Sequence, residues 1–482
     1  MKINNFKYII LALVTWGLQG CDHFLDIKPK GYTIPEYFDD YEKLMSSDDF
    51  NFSGEVYTNF MTDDIHLADK TVSRELSYDN KSDDEKKLYT FAHGQIFQAG
   101  TTDRFWNGCY SRIFTLNAII NNIEQVPDGK ESDRKRLKAE ALVARAFEYL
   151  NLVNGYAKHY NSATAAEDYG VPLVLSEDIN KSYKRNSVAE VYQRIEEDLK
   201  EAIPNLRTIT PNLFRASKLA GHALLARTYL YMGKYKEAGI QADSVLKGNN
   251  TLVDMKIYKL QNGTWDRIYN PNVETSDKAY RYPQTVDSPE SIFVRMSRYA
   301  YNYALCASES LLETFEKELP AQAVDQRRHL MYATDSINRG RNWEYFRGVT
   351  AYAPYLQTNL GMSTPEIYLI SAECEARVGS LSKAMERLNA LRDMRIIDNT
   401  PLNITDKDEA LRVILDERRR ELTFAGLYRS VDLKRIEDKF KSPITHSADG
   451  ESWTLPINDN RLILPVPNTI LDHNPNMPQY ER

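Results

Sequence analysis

Between Leu415 and Arg435 the chain crowds Glu417, Glu421 and Asp432 against Arg418, Arg419, Arg420, Arg429 and Arg435. Neighbouring carboxylates can do acid–base work when their surroundings push their pKa values apart. Acids and bases three to four residues apart on a helix more often pair with one another. Such pairing would fix the last helices against the rest of the body. Asp63, Asp64 and His66 are the other grouping with metal-ligand character. One imidazole and two adjacent carboxylates supply too few converging donors, and adjacent carboxylates rarely meet on one ion. The eight His are scattered, and no HExxH, GxxxxGK[ST], GxSxG or EF-hand loop occurs. The expectation is therefore a binding protein, not an enzyme, with no cofactor and no metal site.

Ligand chemistry is better served between about 250 and 362, where short aromatic runs replace helical periodicity. Tyr299, Tyr301 and Tyr303 alternate, so an extended strand would put all three rings on one face. Trp265, Tyr269, Tyr280 and Tyr282 precede them in turn-rich sequence, and Arg341, Trp343, Tyr345 and Arg347 alternate after them. An aromatic plane packs on the C–H face of a sugar ring, while guanidinium groups donate to its hydroxyls. The candidate ligand-binding residues are thus Trp265, Tyr280, Tyr282, Tyr299, Tyr301, Tyr303, Arg341, Trp343 and Tyr345. The bland alternative is that these rings only hold a long loop region together. The 31 Tyr against 17 Phe suit half-exposed, ligand-touching surfaces better than a core built for packing alone.

The elements that must carry these loops are helical. Residues 134–154 repeat apolar positions at helical spacing, with Gly155 as the expected stop. Residues 187–203 open on Ser187 and Glu190, a capping-box pattern, and run to Pro204. Two segments share a repeat. Ala226, Gly233, Ala238 and Val245 are spaced 7, 5 and 7 apart, and so are Ala372, Gly379, Ala384 and Leu391. This is the rhythm of tetratricopeptide helix pairs, in which small residues let paired helices approach and Gly turns between them. One pair cannot bury its own face, so 134–154 with 187–203 is the expected third. The fold class is mostly α: helix pairs forming a scaffold, with long irregular aromatic-rich loops and little β. Residues before about 102 read as irregular, and the tail after Pro465 as extended.

The first residues read as an export signal. Lys2 and Lys7 precede an apolar stretch, Tyr8 to Leu18, about half the roughly 20 residues a spanning helix needs. Leu18-Gln19-Gly20-Cys21 then resembles a bacterial lipobox, which would place a lipid on Cys21 and tether the protein to a membrane surface. Cys109, Cys306 and Cys374 remain, too few for a disulfide framework. A net charge of −7 argues against a nucleic-acid partner.

Several segments, in order, resemble the SusD/RagB family of Bacteroidetes outer-membrane lipoproteins. Phe24-Leu25-Asp26-Ile27-Lys28-Pro29 follows the lipid Cys. Trp106, Tyr110, Ile113 and Asn117 fit a W-x3-Y-x2-I-x3-N helix. Arg145-Ala146 with Tyr149 fits R-A-x-x-Y, and Gly170-Val171-Pro172-Leu173 fits G-V-P-L. Ala226 to Leu230 with Gly233 fits a repeat helix. Leu415 to Arg435 resembles the E-R-x-x-E-L signature, although Leu427-Tyr428 depart from its usual residues. Leu464-Pro465-Val466-Pro467 and Asn474-Pro475-Asn476 fit the closing tail. The resemblance implies a signal peptide over 1–20 and a SusD-like half over 21–240. A second half over 241–482 would carry the ligand loops. It further implies an outer-membrane, surface-exposed lipoprotein that captures glycan for a partner SusC-like TonB-dependent transporter. An oligopeptide ligand, a lid with little affinity of its own, and an anchored glycoside hydrolase remain as alternatives. The last would need two carboxylates roughly 5 to 10 Å apart across a cleft.

Overall fold

The computed structural model describes residues 35–178, 183–260, 268–297, 305–339, 342–352 and 358–482. Side chains at 337–339 and 342–344 fall outside the description. Nine helices carry the body: α1 (Arg104–Asn122), α2 (Glu131–Tyr156), α3 (Val188–Ala202), α4 (Lys218–Tyr231), α5 (Tyr235–Gly248), α6 (Thr364–Val378), α7 (Leu381–Asp393), α8 (Lys407–Glu421) and α9 (Tyr428–Arg435). Shorter elements are given by their residues.

The helices pair as the spacing predicts. α2 packs on α3, α4 on α5 and α6 on α7, and the pairs stack through α3 on α4 and α5 on α6. α1 lies on α2, and α8 covers α6 and α7. Ala226, Ala238, Ala372 and Ala384 are wholly buried at these crossings, where a methyl is the largest group that lets the backbones close. Gly233 takes the turn between α4 and α5 at φ +70°, a conformation that L side chains avoid. At the start of α3, Ser187 accepts from the Glu190 amide while Glu190 caps the Ser187 amide.

The region before 102, expected to be irregular, carries helices at Phe38–Met45 and Asp83–Tyr89, and two boundaries also differ from expectation. α2 runs through Gly155 to Tyr156, because Gly155 is used for packing: a Cβ there would lie 3.1 Å from the Phe105 ring. The tail after Pro465 is interrupted by a helical turn at Asn468–Leu471.

Motif residues of α1 and α2 have a common task, which is to hold the segment after Gly170. Tyr110 donates to Pro172 O at 2.9 Å and Asn117 to Val174 O at 2.8 Å. Tyr149 donates to Val174 O at 2.7 Å and accepts from the Val174 amide at 2.9 Å. Arg145 donates to Asn117 and, through two nitrogens, to Asp198 of α3 at 2.8 Å each. A Cβ on Gly170 would come within 2.9 Å of Asn186 O, so only Gly fits this crossing.

The stretch between α5 and α6 forms short strands. Ile65–His66, Cys306–Ala307, Ala351–Tyr352 and Tyr332–Ala333 make a four-stranded antiparallel sheet in that order. The N-terminal region is thereby tied to the loops. Ser336–Arg339 and Asn342–Tyr345 form a separate hairpin, with Ser336 opposite Tyr345. One buried apolar cluster draws residues from Tyr41 to Val466. No helix among the described residues is long and apolar enough to cross a membrane.

Candidate functional site

The charged cluster of α8 and α9 is an internal brace. Glu417, wholly buried, receives Arg327 at 2.6 Å, Arg420 at 2.8 Å and Arg392 at 3.0 Å. Burial alone would raise its pKa, but the three guanidinium groups outweigh that and hold the carboxyl well below the ordinary range. Glu421 pairs with Arg395 and Arg327, both at 2.8 Å. Asp432 takes Arg418 at 2.9 Å and Arg435 at 2.6 Å, and Arg435 reaches on to Glu373 of α6 at 2.7 Å. These acids are engaged in ion pairs inside the protein. Asp63 and Asp64 are occupied likewise, by Arg429 and Arg419 at 2.6 Å each, while His66 sits in the sheet opposite Cys306.

Ligand-sized space lies elsewhere. A cleft of about 710 Å3 opens where the loop after α5, the segment 315–334 and residue Ile397 converge. Tyr258 and Phe315 form its floor, 6% and 2% exposed. Each is propped by another ring, Tyr258 by Tyr282 edge-on at 5.1 Å and Phe315 by Tyr332 at 5.4 Å. Lys256, Lys259, Arg328 and His329 stand among the lining residues. Strand pairing fixes the frame: Lys259 pairs with Tyr269, and Val324 with Ile397. Gln326 also lines the cleft, 5% exposed, and its buried Oε1 has no hydrogen-bond partner among the described residues. A buried acceptor left in this state costs about 1–3 kcal/mol unless something donates to it.

The structure gathers only part of the expected aromatic set. Tyr282 is half-buried behind Tyr258, so it supports the floor. Tyr280 packs on Tyr269 with ring centroids 5.4 Å apart. Tyr345 ends the hairpin strand at 73% exposure, and Thr334, at the cleft, leads into that hairpin. Trp343 sits in the same strand, paired with Asn338. Trp265, Tyr299, Tyr301, Tyr303, Arg341 and the lipobox Cys21 lie outside the described residues. Sequence reasoning missed Lys256, Tyr258, Lys259, Phe315, Arg328 and His329, because they come from separate segments. The alternation of Lys256, Tyr258 and Leu260 was the available signal.

Residues 23–230 match a family model named SusD-like and described as starch-binding, associating with the outer membrane. Residues 362–482 match the SusD family model. The chain is 22% identical to the SusD-like protein P38 of Formosa agariphila, over 90% of this chain and 92% of that one. A SusD superfamily protein from Bacteroides thetaiotaomicron superposes with a TM-score of 0.68 at 22% identity, covering 92% and 100% of the two chains. A laminarin-binding SusD-like protein superposes with a TM-score of 0.58 at 20% identity, covering 91% and 98%.

Proposed function

The chain belongs to the SusD/RagB family, and from that premise we propose that it is a lipid-anchored, surface-exposed protein that captures oligo- or polysaccharide. It delivers the glycan to a partner SusC-like TonB-dependent transporter of the outer membrane. The observation that carries this reading is where the cleft falls. Its lining, from Lys256 to Thr334, lies almost wholly between the two family matches, which end at 230 and resume at 362. The helical scaffold carries the two family matches, and the cleft with its aromatic floor is built on the stretch between them. The laminarin-binding relative is a precedent for a saccharide on this scaffold. Binding rather than turnover fits the acids of α8 and α9, all held in ion pairs.

The test is a binding screen of the soluble form beginning after Cys21. Plant, host and microbial glycans are titrated alongside mixed oligopeptides, with intrinsic tryptophan fluorescence as the readout. A glycan that binds the parent protein, and binds Tyr258→Ala more weakly, supports the assignment. A ligand set made only of peptides moves the function to oligopeptide capture. Release of reducing sugar by the purified protein, lost on mutating one acid, would overturn the non-enzymatic reading. In the full-length protein, Cys21→Ala is expected to shift the chain from the membrane fraction to the soluble one.

A further inference from the structure

The cleft is cationic in a chain whose net charge is −7. Arg328 is the informative member. Its guanidinium lies 5.7 Å from the centre of the Tyr332 ring, and among the described residues it forms no ion pair. Burial lowers its pKa from the ordinary value, as befits a cation with no counter-ion bonded to it. Lys259, exposed, also lacks a carboxylate partner among the described residues. Lys256 has only Asp254, at 3.9 Å. Of the two acids among the described lining residues, Asp325 is consumed by Arg327 at 2.6 and 3.0 Å, and Glu316 offsets only part of the positive charge around Arg328. In a second cleft, of about 640 Å3, Lys158 is paired with Asp168 at 3.1 Å and Lys441 with Asp438 at 3.2 Å, while Lys434 donates to the Ala157 carbonyl at 3.3 Å.

Resting on the glycan reading above, we propose that this cleft selects an anionic saccharide, one that bears uronate carboxylates or sulfate esters. A planar guanidinium on an aromatic ring presents a fork that matches either group through two parallel N–H···O bonds, while Lys259 adds a mobile charge at the rim. An acidic chain therefore answers the charge of the cleft, whereas a neutral glucan leaves it unanswered. Cations lining a concave wall also raise the local concentration of a polyanion and speed its encounter, an effect that salt screens.

The experiment compares four probes by isothermal titration at low and high ionic strength. These are short oligogalacturonides, the same oligomers with their carboxyls reduced to alcohols, a sulfated galactan oligomer, and its desulfated counterpart. At low salt at least one anionic probe is expected to bind about tenfold tighter than its neutral partner, with the gap narrowing as salt rises. The member of the pair that wins tells carboxylate from sulfate. Arg328→Ala and, separately, the exposed Lys259→Ala are expected to erase most of that preference. Lys259→Ala keeps the test decisive should Arg328→Ala fail to fold. Equal binding of charged and neutral partners, or a preference unmoved by both variants, overturns the proposal and leaves glycan capture standing. No binding of any of the four by a protein that does bind peptides overturns glycan capture itself, and the proposal with it.

Discussion

Arg227 of α4 and Glu366 of α6 are 139 positions apart and meet in the interior through two hydrogen bonds, Nε to Oε1 at 2.8 Å and Nη2 to Oε2 at 2.6 Å. The Tyr428 hydroxyl oxygen lies 3.1 Å from the same carboxylate, and the Arg227 guanidinium lies 4.6 Å from that ring's centre. One ion pair thus joins the second helix pair, the third pair and α9. Removing one partner strands a buried charge. Glu366→Ala is expected to cost about 3–5 kcal/mol in equilibrium urea unfolding, while Arg227→Met with Glu366→Leu recovers most of it. An unchanged urea midpoint for the single variant would show that this pair does not brace the fold.

Gly361 is predicted to tolerate no side chain. A Cβ there would fall 2.0 Å from Phe293 O, across the strand pair that also joins Met362 to Phe293. The Gly361 carbonyl, in turn, accepts from the Tyr428 hydroxyl at 2.8 Å. Gly361→Ala should lower stability by about 3 kcal/mol or more through overpacking. Gly233→Ala has open space around it and should cost only the left-handed backbone, about 1–2 kcal/mol. Thermal melts of the two variants side by side check the order, and a milder effect at 361 than at 233 would contradict the packing argument.

Acid should loosen the brace at α8. Glu417 and Glu373 are held below their ordinary pKa of 4.5. Burial opposes this, but it is outweighed by Arg327, Arg420 and Arg392 for Glu417 and by Arg435 and Arg377 for Glu373. A depressed folded-state pKa means that the unfolded chain binds protons first as pH falls, so this stability is complete above about 4.5 and drains away below it. Urea midpoints measured from neutral pH downward are expected to fall steeply below that point. Glu417→Gln should be less stable at neutral pH and show a shallower acid slope; a parallel slope would assign the acid lability to other groups.

Tyr345→Ala is predicted to separate binding from folding. At 73% exposure it contributes little to packing, so Tyr345→Ala should leave the melting temperature within about 1 °C. If the hairpin helps to hold the glycan, saccharide affinity should drop by about 1 kcal/mol, roughly fivefold, the scale of one aromatic contact. Tyr258→Ala, by contrast, removes a buried ring that Tyr282 leans on and should lower both affinity and stability. Calorimetry on the two variants distinguishes a binding ring from a supporting one, and unchanged affinity for Tyr345→Ala removes the hairpin from the site.

The scaffold was legible because its cause is local. The 7-5-7 spacing of Ala226, Gly233, Ala238 and Val245 is one helix pair written along the chain, and the Ser187–Glu190 cap needs only four residues. The brace was half legible: charges at helical spacing announced pairing, yet the partners chosen are distant ones, such as Arg392 for Glu417 and Asp63 for Arg429. The cleft was scarcely legible. Lys256, Phe315 and Arg328 share no period, and what unites them is the short pairing of Val324 with Ile397 and of Lys259 with Tyr269. The aromatic density of the region was visible; which rings would prop others, as Tyr282 does Tyr258, depends on tertiary packing that spacing does not encode.

The direct packing of α5 on α6 has a consequence for how such a protein changes over time. The Tyr368 hydroxyl of α6 reaches back to Asn250 O, just past the end of α5, at 3.2 Å, so the long stretch between the two helices departs and returns at one place. The cost of closing such an excursion grows only with the logarithm of its length. Residues can be gained, lost or exchanged in the parts of it that do not touch the helices, while Arg327 keeps its ion pairs with Glu417 and Glu421 of α8. A lineage meeting a new polymer need not reinvent the frame; it can rewrite one paragraph of the chain and leave the rest of the text alone.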